Sequence, residues 1–425
     1  MAEQTMVLPG EVEEVESFRQ RARTWIRENL PRAKGAEEEA GEGGGIDWSD
    51  EAWLRDRELQ KQLYQGGFAG ICYPKEYGGL GLTPAHQKAF NEEVRGHRMP
   101  MRLNIPTFSI ICPAILDLGT EEQKKEHIGA AIRGEEVLVQ FLSEPRGGSD
   151  LAGVTTRATQ DGDIFLLNGS KIWSSGAYAA DYGVCLARTD WDAPKHRGLT
   201  MLLVKVHQPG VTIHRIRQVN GNSEFCQEFF DNVEIPAANV LGEINGGWSA
   251  ASRLLYHERV AVGGGSPYIS GPSPGGSNRR AAPEAKLKEL ARRTGQSGDA
   301  RVRELIAESH IIDRVREQLV ERVVAGMRVG DLSPHAGAIL RLFNGESAVR
   351  RAEIAVEVAG PHAVAAADRD GDLEIGIQYL MRQASCLGGG STEMARNIIS
   401  ERILGMPREY AADRDIPFSQ VRQGR

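Results

Sequence analysis

The sequence predicts an α+β chain with segregated layers. A helical domain is expected over 1–136, an antiparallel sheet or barrel over 137–242, and a helical domain over 243–425. Three observations predict it. Apolar residues recur at three- and four-residue steps toward both ends of the chain, as amphipathic helices require. Between them lie short β-prone runs separated by turn dipeptides. Strands and helices do not alternate, which argues against βαβ units. The 425 residues exceed one ordinary core and suit two or three units.

The first element is a helix. Val12, Val15, Phe18, Ala22, Trp25, Ile26 and Leu30 share one face. Residues 35–45 (GAEEEAGEGGG) break it with glycine and like charge, which reads as a flexible surface loop. Residues 66–82 (GGFAGICYPKEYGGLGL) are turn-rich, and helical spacing returns from about Pro84 to Arg133. The β-prone runs are VLVQFL, DIFLLNGSKIW, YGVCLAR, LTMLLVKV, VTIHRI and CQEFFDNVEI, with turns at Asp161-Gly162, Asn168-Gly169, Pro209-Gly210 and Asn220-Gly221. Helices resume near Trp248 and are expected at 283–294, 299–329, 335–359 and 391–404. In the 299–329 helix Ile312, Val315, Leu319, Val323 and Met327 form one apolar row. Residues 263–277 contain 13 Gly, Ser or Pro in 15 and read as a mobile loop within a Gly/Pro-rich insertion over 263–282.

Composition narrows the function classes. Lys and Arg number 51 against 58 Asp and Glu, a net charge of −7, so no global cationic field favours nucleic acid or an anionic membrane. No apolar run approaches the ~20 residues that span a bilayer, and the acidic N-terminus lacks the apolar core of a secretory leader. The five scattered cysteines without CxxC spacing suit reduced thiols in a cytoplasmic protein, with no metal site expected.

Several short patterns fail on context. GxSxG at 271–275 lies in the Pro/Gly loop, the 368–372 stretch misplaces the glycine of a calcium loop and reads as a surface turn, and His257-Glu258 lacks a second zincin histidine. Two stretches survive. QFLSEPRGGSD (140–150) is an apolar run that turns at Pro145 and exposes backbone N–H groups and small hydroxyls, a rim suited to a planar polar ring. LNGSKIWSSG (167–176) places Trp173 beside two serines; it reads either as a core tryptophan or as one that stacks on a heterocycle.

Together these stretches resemble the acyl-CoA dehydrogenase family. The segments GFAGICYPKEYGGLGL, LGTEEQKKEHIGAAIRGE, LSEPRGGSD, LNGSKIWSS, FFDNVEIP and GGGSTEMARNIISERILGMPRE follow the family's order across residues 67–409. The resemblance implies a helical domain, a β domain and a C-terminal four-helix bundle, with FAD between sheet and bundle, partly across a subunit interface. It places Gln140, Leu142 and Ser143 along the flavin ring. Gly148 and Ser149 fall near the FAD phosphate, Ser149 also near the CoA chain. Trp173 and Ser175 cover the flavin, and Ser391 and Glu393 touch the ADP part. Arg259 and Gly389 fall on the substrate side.

In this family a carboxylate removes the α-proton of the thioester while hydride leaves the β-carbon. The commonest position of that base is here Gly389. A second family position matches Glu258 in LLYHERV (254–260), which shares an i, i+4 row with Leu254 and Val262. An unpaired carboxylate on that stripe would have a raised pKa, as a base near neutrality needs. An arginine-paired glutamate on an exposed face is the alternative reading.

Two segments depart from the family. Its RxxFG segment is replaced by RRTGQSGDARVRELI (292–306), and a second ADP-contacting loop by Gly360, Pro361 and His362. NSEF (222–225) and the insertion resemble an actinobacterial branch whose members form α2β2 assemblies acting on bulky acyl-CoAs. The expectations are therefore an FAD-dependent acyl-CoA dehydrogenase, homo- or hetero-oligomeric as a dimer of dimers, that passes electrons to an electron-transfer flavoprotein or similar acceptor. A non-catalytic subunit completing another chain's FAD site, and a flavin oxidase or N-hydroxylase, are the alternatives.

Overall fold

The computed structural model describes residues 12–33, 47–262, 265–271, 283–363 and 372–422. The loop expected over 35–45, both ends of the 263–277 insertion and the turn expected at 368–371 lie outside these residues.

Helix α1 (Val15–Asn29) buries Phe18, Ala22 and Ile26, the stripe its spacing predicts. Helix α2 (Asp50–Gln65) starts at Ser49, whose Oγ accepts from the Ala52 N–H at 3.2 Å. Helix α3 (Pro84–Glu93) opens on proline, which suits a first helical position. The helical spacing over 84–133 is not continuous. It restarts as α4 (Met101–Leu118), which breaks at Ile105 because Pro106 cannot donate a helix hydrogen bond, and again as α5 (121–132) after Gly119. By composition Met101–Leu118 is apolar enough to cross a bilayer, but 67% of it is buried inside the fold.

Seven strands form one curled sheet: β1 (Leu138–Phe141), β2 (Arg157–Asp161), β3 (Ile164–Ser175), β4 (Tyr182–Arg188), β5 (Leu199–Lys205), β6 (Val211–Arg215) and β7 (Phe225–Pro236). The order is β1-β4-β2-β3-β7-β6, with β5 also on β4. Most pairs are antiparallel as expected, but β1 and β2 run parallel to β4. Strand β2 escaped the apolar pattern because only Ala158 of its five residues is buried.

Helix α6 (Gly247–Val262) packs on β5 and α4. Then come α7 (Pro283–Arg293), α8 (Ala300–Val329), α9 (Gly337–Ala359), α10 (Asp372–Met381) and α11 (Thr392–Ile398). One core runs from Phe18 through the sheet to Ala261 of α6. A smaller one joins α7, α8 and α9 through Leu290, Leu305, Ile354 and Val358. The apolar row on α8 is covered only in part: Val323 is buried, whereas Val315 is exposed.

The described part of the insertion corrects its reading as a mobile loop. Residues 265–271 lie folded on the N-terminal helices, with Ile269 and Gly271 buried. Five side-chain hydrogen bonds from Gln87, Asn91 and Asn104 fasten backbone and hydroxyl groups that composition alone leaves without partners.

Candidate active site

The rim of the sheet assembles both surviving sequence stretches. The Ser143 carbonyl accepts from the Ile172 N–H at 3.0 Å, and the Leu142 carbonyl accepts from Lys171 Nζ at 3.0 Å. Residues 140–143 therefore lie along β3 just ahead of Trp173. Reciprocal backbone bonds between Glu144 and Gly147 fold the following turn back, leaving Gly148 and Ser149 exposed. A Cβ on Gly148 would stand 3.0 Å from Ser143 Oγ, so glycine lets this turn rest on the rim.

A bulge then sets Trp173 apart. The β3–β7 register shifts between Ile172 and Ser174, and Trp173 takes φ 68°, a conformation non-glycine residues rarely adopt. Its indole is 55% exposed and meets Phe225 edge-on at 5.9 Å. A core tryptophan is thus excluded. Ser174 is buried below the bulge, and Ser175 is half-buried.

Under this rim lies a buried ionic layer that the sequence analysis missed. Burial alone would raise the Glu144 carboxyl. Lys171 Nζ at 2.9 Å and donors from Thr155 and Thr156 outweigh it, holding that carboxyl at about 2. Glu228, opposite Lys171 across the β3–β7 pair, is pushed up to about 7 by burial, against the Ser174 hydroxyl at 3.0 Å. Among the described residues its Oε1 has no hydrogen-bond partner. The signal was available: Cys226, Glu228 and Phe230 alternate inward on β7, so the charged member of that row stands out.

Helix α6 brings Glu258 to the end of β1. Gln140 Nε2 donates to Glu258 Oε2 at 3.3 Å, and Gln140 Oε1 is buried with no hydrogen-bond partner among the described residues. Burial raises the Glu258 carboxyl above its ordinary value; Gln140 and the Arg259 charge oppose the rise without cancelling it. Arg259 itself is exposed. On the other side, a Cβ at Gly389 would stand 3.9 Å from Glu258 Oε1. The two positions suggested for a base therefore adjoin, one a carboxylate and the other a glycine at φ 71°.

Ser391 and Glu393 lie farther along the helical domain. Ser391 caps α11, its Oγ accepting from the Met394 N–H at 3.2 Å. Glu393 is exposed and pairs with Arg396. Their described contacts stay within that domain, away from the rim. The divergent 292–306 segment is likewise used locally: Asp299 Oδ1 caps α8 at Val302, and Gln296 Nε2 donates to the Val358 carbonyl.

A flavin fits the rim. The exposed indole on a bulge, the small hydroxyls and the orphaned Gln140 oxygen are the donors, acceptors and stacking face that a planar heterocycle needs. Helix, sheet and helix around such a rim define a flavoprotein oxidoreductase of the acyl-CoA-oxidising class. The N-terminal, middle and C-terminal domain models of the acyl-CoA dehydrogenase family match residues 12–135, 140–233 and 245–404, and the chain belongs to that family. It is 34% identical to the acyl-CoA dehydrogenase IpdE1 of Mycobacterium tuberculosis, over 94% of this chain and 99% of that protein. Its fold is similar to the steroid acyl-CoA dehydrogenase Tcur3481-Tcur3483, with TM-score 0.72, 28% identity, and coverage of 94% and 99%. The ChsE4-ChsE5 complex of Mycobacterium tuberculosis aligns with TM-score 0.68 at 25% identity, covering 95% of this chain and 100% of that one.

Proposed function

We propose that this chain is the catalytic subunit of an FAD-dependent acyl-CoA dehydrogenase that forms a trans-2-enoyl thioester, with Glu258 as the base. The observation that carries this reading is a desolvated carboxylate whose one hydrogen bond among the described residues comes from the Gln140 amide, beside a glycine where a second acid would crowd it.

Gln140, Leu142, Ser143, Gly148, Ser149, Trp173 and Ser175 hold the flavin on the rim, and Ser391 and Glu393 meet its ADP end. FAD, when bound, supplies the acceptor for the β-hydride. Glu258 takes the α-proton; its raised pKa matches it to that weakly acidic C–H better than an ordinary surface carboxylate. Arg259, exposed beside it, meets the CoA side, and Gly389 leaves room for the thioester. Trp173 covers the flavin from the rim, and burial of Glu258 beside Gln140 keeps the base desolvated.

The likeness to a steroid acyl-CoA dehydrogenase supports a bulky acyl group, and an electron-transfer flavoprotein is the proposed acceptor. Exposed apolar positions on α8 (Ile311, Val315, Val320 and Val324) fit burial against another acyl-CoA dehydrogenase subunit in a dimer of dimers. Light scattering on the purified protein reads that assembly.

Local use of Gln296 and Asp299 favours a second reading, a subunit that only completes a partner's FAD site. Purifying the chain alone separates the two. A yellow protein whose flavin absorbance bleaches anaerobically on acyl-CoA addition supports catalysis, and a colourless, inert one supports the partner role. Oxygen consumption coupled to turnover would instead indicate an oxidase.

A further inference from the structure

The segment 265–271 is too well anchored to be a spacer. Ordering a Gly/Ser/Pro chain costs backbone entropy, so its order needs specific partners. They are the side-chain amides of Asn91 and Asn104, the latter buried. Asn104 Oδ1 accepts from the Ser270 N–H at 3.1 Å while its Nδ2 donates to the Ser270 carbonyl at 2.9 Å. Asn91 Oδ1 accepts from the Gly271 N–H at 2.7 Å while its Nδ2 donates to the Ile269 carbonyl at 3.0 Å. Asn104 is 1% exposed, and removing the segment would leave its amide without these partners.

What the anchors present is Tyr268. Its ring stacks on Tyr73 with centroids 4.4 Å apart and planes 30° apart. Tyr73 is fixed in turn, its hydroxyl donating to the Phe108 carbonyl at 2.5 Å. A cavity of about 10 Å³, room for about one water, is bordered by Cys72, Tyr73, Phe108 and Tyr268.

The position relates to the proposed chemistry. The segment leaves α6 just beyond Glu258, its Gly265 N–H bonding the Val260 carbonyl at 2.9 Å. It crosses to α4, which packs directly on α6. A thioester at Glu258 must lead its charged CoA out to solvent, on the side of exposed Arg259. On that reading its apolar acyl chain turns inward along α6 toward α4. The Tyr268–Tyr73 pair lies where the segment, having left α6 beyond Val260, meets Asn104 and Phe108 of α4. Resting on the acyl-CoA reading above, we infer that Tyr268, held against Tyr73 by Asn91 and Asn104, is the far wall of the acyl pocket and limits the length of acyl group bound.

The test reads binding apart from turnover. Butanoyl-, octanoyl- and hexadecanoyl-CoA are titrated calorimetrically into FAD-loaded Glu258→Gln protein, alone and combined with Tyr268→Ala, Tyr268→Phe or Asn91→Ala. Tyr268→Ala is expected to shift the hexadecanoyl-to-butanoyl affinity ratio at least tenfold toward the long chain, and Tyr268→Phe to keep the parent ratio. Asn91→Ala, which loosens the segment without touching the ring, shifts it the same way and decides the matter if the alanine variant of Tyr268 fails to fold. A ratio unchanged within twofold, with binding intact, overturns the wall alone. Flavin bleaching in Glu258→Gln would overturn the assigned base while the binding ratio still tests the wall. Failure of all three thioesters, and of a steroidal acyl-CoA titrated beside them, to bind overturns both.

Discussion

Glu144, beneath the sheet rim, and Glu258, on α6 at the end of β1, are the same acid in opposite settings. Glu144 meets an ammonium and donors from two threonines, and ionises far below its ordinary value, at about 2. Glu258 meets one neutral amide, and burial pushes it the other way. Burial is common to both; partners decide the sign. A satisfied carboxylate stiffens the rim, whereas an under-partnered one stays ready to exchange a proton. Glu228 lies between them, buried with one hydroxyl donor and titrating near about 7.

The comparison breaks most sharply at Glu258. Glu258→Gln keeps shape and hydrogen bonding but removes the base. It should slow flavin reduction by about 10²–10⁴-fold with FAD content unchanged, read by anaerobic stopped-flow. In the wild type the same rate should rise with pH as Glu258 loses its proton, with a midpoint above the ordinary carboxylate range. Wild-type-like reduction in the variant removes Glu258 from the chemistry.

Next in size is the paired site. Lys171→Met leaves Glu144 buried and uncompensated, and should cost about 3–5 kcal/mol of stability in urea titration at neutral pH. The Glu144 contribution is present above its unfolded pKa and is lost as pH falls below 4.5 toward about 2, so the variant's deficit should shrink in acid.

Glu228→Gln sharpens the intermediate case. A carboxyl raised in the folded state contributes its full stability below its unfolded pKa and loses it as pH rises through about 7. The variant should therefore gain on the wild type between pH 5 and pH 8, by about 3 kcal/mol at most. A pH-independent difference would place the charge of Glu228 elsewhere.

The smallest effect belongs to Gly389→Ala. At φ 71° a side chain costs about 1–2 kcal/mol, and the new methyl would stand 3.9 Å from Glu258 Oε1. A modest fall in thermal midpoint is expected, with a larger change in KM than in kcat.

Much of this was legible in the residues. The helix stripes, the turn dipeptides and the order of the layers follow from period and local propensity, and α1 and α8 lie within about three residues of their expected bounds. Strand β2 was missed because its exposed side chains carry no apolar alternation. Helix α10 was missed, and the insertion was misread because Gly, Ser and Pro report only the chain's freedom, not the amides of Asn91 and Asn104 waiting elsewhere. Of the candidate site, Gln140, Leu142, Ser143, Trp173 and Glu258 could be picked out by motif. Lys171 could not, since a charged residue in a strand reads as solvated until the opposite strand is known; Glu228 was legible only as the charged member of the row it shares with Cys226 and Phe230.

The sequence by itself determined the layers, the family and the residue types available for catalysis, because these depend on periodicity and ordered motifs along the chain. Only the tertiary structure decided which carboxylate is paired and which is under-partnered, and that Gly389 faces Glu258 across 131 positions of chain. A pKa depends on distances to charges and on exclusion of water, and both are set by packing between segments that the linear order keeps apart.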